Sequence, residues 1–221
     1  MRRSAALPAV LVALAALGCS AKPPEIVGLR ARVELHALEK GGAVERLSVF
    51  VAAGDEDGRD DLDRLHVIHD ASERFWSLTR DDWILREEGS DVWLGANDLA
   101  LEDDGPIPRG RWRVVLLDSG GERAEREFTV SAAPSSGYPV PTAKLSGAIL
   151  VVASAWPQVS VAFLDGTDAL VKLVPCKTGD NDLDALYGSR EWRERAAAVA
   201  VRAFDPQRDF GAWSWPVRTN P

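Results

Sequence analysis

The sequence predicts a mostly β protein: an antiparallel β-sandwich followed by a smaller β-rich, α+β domain. Three observations lead there. Apolar and polar residues alternate with period two over 27–37, the signature of a half-buried strand. Short apolar runs then recur between Gly, Asp, Asn and Ser clusters at the spacing of a sandwich or barrel. A Pro, Ser, Ala and Gly stretch at 131–142 separates this region from a shorter β-rich one, and proline-rich spacers are semi-rigid.

Residues 1–18 read as a targeting segment outside the fold. Arg2 and Arg3 precede an apolar run from Ala5 to Leu17 that is closed by Gly18, the layout of an export signal. Thirteen residues including Pro8 fall short of the roughly 20 needed to span a bilayer. The sequence Ala16-Leu17-Gly18-Cys19 resembles a bacterial lipobox, with Ala16 where Leu, Val or Ile is usual. The resemblance implies cleavage before Cys19 and acylation of its sulfur, with an incidental Cys19 in an ordinary cleaved signal as the alternative. Stable anchoring takes more than one acyl chain, which a lipoprotein's two or three supply. Residues 19–24 then form a lipidated tether. Ser20 resembles the outer-membrane sorting class, so the expected location is the bacterial cell envelope, extracytoplasmic, and the outer membrane if the host is Gram-negative.

The first domain is expected at 25–130. Val27, Leu29, Ala31, Val33, Leu35 and Ala37 share one face; Gly41-Gly42 turns the chain, and Leu47, Val49 and Val51 face inward on the second strand. Further strands are expected near 65–68, 73–78, 83–86 and 92–94. The clearest hairpin follows, 111–118 and 122–130 about Ser119-Gly120-Gly121. Its Trp112, Val114 and Leu116 lie on a buried face, while Arg123, Glu125 and Glu127 point to water. The run Pro108 to Val114, the turn at Asp118, the ending Phe128-Thr129-Val130 and the acidic loop Asp55-Glu56-Asp57-Gly58 resemble the immunoglobulin-like or fibronectin type III-like modules of bacterial surface proteins. That resemblance implies a sandwich architecture but no function, because such folds host many.

The second domain is expected at 143–221, with strands at 144–152, 159–164 and 169–174. For 183–204 the pattern leaves two readings open, a helix over 183–199 or a strand over 198–204, because the alanine run 196–198 suits both templates.

Composition narrows the function. With 46% hydrophobic residues and eight Trp, the chain can bury a core. The net charge of −8, more negative once Arg2 and Arg3 leave with the signal, argues against nucleic acid, whose binding draws on clustered Lys and Arg. Asp55, Glu56, Asp57, Asp60, Asp61 and Asp63 crowd into nine residues. Hard oxygen ligands in a loop suit calcium, and Asp55, Asp57, Asp60 and Asp61 are the candidate ligands, but Gly58 is out of EF-hand register and no Glu stands at the twelfth position. The loop is therefore expected to be solvated and to act by charge alone, with no metal.

His66, His69 and Asp70 form a second cluster, and on a strand the two imidazoles point to opposite faces, so no shared zinc is expected. Cys176 is expected to pack as a small hydrophobe. Trp76, Trp83, Trp93 and Trp112 are expected between the sheets, Trp213 and Trp215 as the most exposed pair, and Trp192 beside Arg190, Arg193 and Arg195 on a solvated basic face. No nucleophile elbow or phosphate-binding glycine loop occurs. The reading is a lipid-anchored envelope protein without catalysis or cofactor, in contact with membrane lipid through Cys19 and with an envelope protein partner. The alternatives are an exported hydrolase with a dispersed site and a calcium-dependent adhesion module.

Overall fold

The computed structural model describes residues 22–89, 91–131 and 137–219; the export run and Cys19 lie outside them. The chain is mostly β. Its first eight strands are β1 (Glu25–Ala37), β2 (Ala43–Gly54), β3 (Leu62–His69), β4 (Arg74–Thr79), β5 (Ile84–Glu88), β6 (Asp91–Leu99), β7 (Gly110–Asp118) and β8 (Arg123–Val130). They form two facing layers, β1-β2-β6-β5 and β4-β3-β7-β8, joined antiparallel within each. The two layers pack face to face as an antiparallel β-sandwich.

Alternation places the core. Val33, Leu47, Val49, Val51, Leu65, Val67, Leu94, Trp112, Val114 and Leu116 meet between the layers. Trp112 stacks on Trp76 and Phe128, and its indole N–H donates to the Pro108 carbonyl at 3.0 Å. Trp93 departs from expectation. Its neighbour Leu94 takes the inward position, so Trp93 lies on the opposite face with Phe50 and Ala52. Both rings are nonetheless buried, because the guanidinium of Arg30 covers Trp93 at 3.8 Å and that of Arg86 covers Phe50 at 4.4 Å.

The remaining strands are β9 (Thr142–Ser146), β10 (Ile149–Ala153), β11 (Gln158–Leu164), β12 (Leu170–Pro175), β13 (Gly179–Asp182), β14 (Ala198–Asp205), β15 (Phe210–Trp213) and β16 (Val217–Arg218). The strand expected at 144–152 is a hairpin, broken where Gly147 takes φ 59°. Both readings of 183–204 hold in part: α1 (Leu183–Tyr187) and α2 (Arg190–Arg195) precede β14. Asp182 starts α1 by accepting the amides of Asp184 and Ala185 at 2.9 and 3.3 Å. The small sheet β13-β10-β9 and α1 cover β11 and β14 through Leu150, Val152, Phe163, Tyr187, Val199 and Val201.

Strands from either side of 131–142 meet in one sheet, ordered β12-β11-β14-β15-β1-β2-β6-β5. The junction is the parallel pair β1 and β15, with Glu34 opposite Gly211. A Cβ at Gly211 would stand 2.7 Å from the Glu34 carboxylate and would push it from its present position. Glu34 in turn accepts from Arg202 at 2.6 Å and from the Trp213 indole at 2.7 Å, tying β1 to β14 and β15.

Candidate functional site

The hairpin β7–β8 and the segment joining β2 to β3 end on the same side of the first sandwich, because Leu62 at the start of β3 pairs with Asp118 at the end of β7. Between β2 and β3 the chain turns at Asp55, whose Oδ1 accepts the Asp57 amide at 2.8 Å. A short 3-10 turn at Arg59–Asp61 then delivers Asp61 to the 118–121 turn. There the Ser119 amide donates to the Asp61 carbonyl at 2.8 Å, and the Ser119 hydroxyl donates to the Asp61 carboxylate. Asp118 closes its own turn, with Oδ1 accepting the Glu122 amide at 2.8 Å.

Three carboxylates therefore converge. One oxygen from each of Asp55, Asp61 and Asp118 lies within 4.8 Å of the other two. Asp118 is only 2% exposed. Its Oδ2 and that of Asp55 are both buried without a hydrogen-bond donor. Nearby carboxylates have cations of their own: Glu56 pairs with Lys22, Asp63 with Arg64 and Glu87 with Arg59. None of the three convergent aspartates forms an ion pair among the described residues.

Of the four calcium candidates named from sequence, Asp55 and Asp61 belong to this group while Asp57 and Asp60 stand outside it. The Asp57 carboxylate accepts the Lys22 amide at 2.9 Å, and the Asp60 carbonyl accepts from Arg80. Asp118 was legible only as the residue before a Ser-Gly-Gly turn. Its partner loop lies far off in sequence, Ser119 and Asp61 being 58 positions apart.

His66 and His69 lie on opposite faces of β3, the first half-buried and the second buried. His69 bonds through Nδ1 to the Ser72 hydroxyl at 2.7 Å and packs on Trp112. Burial, reinforced by Arg64, lowers the His66 pKa. Asp70 is engaged by Arg113 at 2.8 and 3.0 Å, which holds its carboxyl below the usual range. Cys176 packs beside the second core, and burial pushes its thiol pKa up, away from the reactive thiolate. A hollow of about 310 Å³ opens beside Tyr138, Trp156 and Arg208, and none of His66, His69 and Cys176 lines it.

Of the tryptophans, Trp215 is 47% exposed, whereas Trp213 is half-buried and bonded to Glu34. Trp192 is half-buried beneath Arg195 and Lys172. No protein-family model matches this chain, and no curated protein sequence matches it.

Proposed function

We propose that this chain is a lipid-anchored extracytoplasmic protein of the bacterial cell envelope, with a structural or partner-binding role instead of a catalytic one. The observation that carries the reading is the order Arg2, Arg3, apolar run, Gly18, Cys19, which combines an export signal with an acylatable cysteine at its end. An immunoglobulin-like module fits the role as a rigid spacer that presents edges and loops to a partner. Strand β1 opens at Glu25, so an extended tether from Cys19 reaches only about 20 Å at 3.3–3.6 Å per residue. Lys22 lies against the acidic loop, through its amide to Asp57 and its ammonium to Glu56. The end of the sandwich bearing that loop would then face the lipid surface. The opposite reaches of the molecule would be free for a partner. Phe75, 67% exposed on the edge strand β4, is placed to report such a contact by crosslinking.

Metabolic labelling with a fatty-acid analogue tests the anchor: the wild type should be tagged and Cys19→Ser should not. Equal labelling of both, or a mature N-terminus beyond Ser20, would overturn it. Crosslinking in intact cells from a photoreactive residue at position 75 tests the partner contact. Capture of one defined envelope protein is the expected result, and the absence of any crosslinked species would count against a binding role for that edge.

A further inference from the structure

We propose that Asp55, Asp61 and Asp118 form a calcium site that ties the 55–61 loop to the 118–121 turn. The argument begins with burial. A carboxylate removed from water needs hydrogen bonds or an opposite charge, or it surrenders its ionisation. Asp118 has one amide for one oxygen and nothing for the other, and Asp55 also keeps a buried oxygen without a donor. Asp61 adds a third like charge at the same point. Among the described residues, cations pair with nearby Glu56, Asp63 and Glu87 and none pairs with these three. A positive charge from solution completes the set.

Ligand chemistry selects the ion. The donors are all hard oxygens, with no His or Cys among them, which excludes a preference for zinc or copper. Oxygens bound to one calcium at about 2.3–2.6 Å are separated by at most twice that distance, and the three aspartate oxygens meet this condition. Magnesium keeps most of its water and takes one or two carboxylates, whereas calcium accepts several carboxylates in irregular geometry. Asp118 is thus the anchoring ligand, and it replaces Asp57 and Asp60 in the set that the acidic loop alone would suggest. The site stands on the geometry of the sandwich and is independent of lipid anchoring.

Calorimetric titration of the detergent-solubilised full chain with calcium chloride tests the site. The wild type should bind one ion saturably with a dissociation constant of about 0.1–1 mM, the range of extracellular modules. Asp118→Asn should lose that binding, and a double Asp57→Asn, Asp60→Asn variant should retain it within about threefold. Where Asp118→Asn does not fold, Asp55→Asn serves in its place. Sodium chloride at matched ionic strength should give no saturable heat, since screening has no stoichiometry. Absence of saturable calcium binding would overturn the proposal. Binding that survives in Asp118→Asn, or that disappears with Asp57 and Asp60, would overturn it in favour of the exposed loop.

Discussion

Strand β7 has a buried carboxylate at each end, and the two are neutralised in opposite ways. Beside its start, Glu45 is 2% exposed and is gripped by Arg109 through both oxygens, at 2.6 and 2.8 Å, with the Ile107 amide added at 2.9 Å. At its finish, Asp118 is equally buried but receives a single amide, with two further carboxylates beside it. Glu34, at the junction with β15, follows the first pattern through Arg202 and Trp213. Where this fold buries a carboxylate in permanent structure, it supplies a guanidinium from its own chain. Among the described residues none reaches Asp118, and in the proposed calcium site its charge balance comes from solution.

Breaking β7 itself should have the largest effect, because it disturbs both ends. Trp112 is 1% exposed in the middle of the aromatic stack, so Trp112→Ala should cost about 3–5 kcal/mol in denaturant unfolding. Arg109→Met should disable one end alone. It removes the guanidinium from the buried Glu45 carboxylate, at a cost of about 3 kcal/mol, the lower part of the range for breaking a buried pair. Added calcium should not restore that loss.

The Glu45 end also carries a pH dependence of its own. His36, paired opposite Val44 and stacked on Trp213, has its pKa lowered to about 4, chiefly by burial. Arg46 lowers it further, while Glu34 and Asp98 oppose the shift. The unfolded chain takes up the proton near pH 6.5 and the folded one only near pH 4. Stability should therefore fall as pH drops through that window, by a contribution of about 3 kcal/mol, and this contribution should cease below pH 4. Unfolding free energies of wild type and His36→Phe, compared from pH 7 to 4, check it: the variant should lack that share of the decline. Trp215, 47% exposed, should matter least. Trp215→Ala should shift stability by no more than about 0.5 kcal/mol.

The sequence disclosed most strands of the sandwich because burial on one face imposes period two, and Val33, Leu47, Val114 and Leu116 all lie where alternation puts them. It misread Trp93, since a bulky apolar residue reads as interior unless Arg30 is known to cover it from outside. The single break at Gly147 was masked by apolar residues on both sides, and α1 and α2 were too short to show a helical period. The pairing of β1 with β15 has no local signal at all, being a parallel contact between distant segments. The candidate site was half legible for the same reason. Asp55 and Asp61 advertise themselves within an acidic run, but Asp118 joins them only through the register of β3 on β7.

The central claim, that the two ends of β7 differ in the source of their counter-charge, is tested most directly by unfolding free energy measured against the logarithm of calcium concentration. Above the dissociation constant the wild type should gain about 1.4 kcal/mol per tenfold increase in calcium. Arg109→Met should rise in parallel from a lower starting point. Asp118→Asn should stay flat, more stable than the wild type in chelator and overtaken by it in calcium. Flat lines for the wild type, or a rise shared equally by Asp118→Asn, would contradict the account.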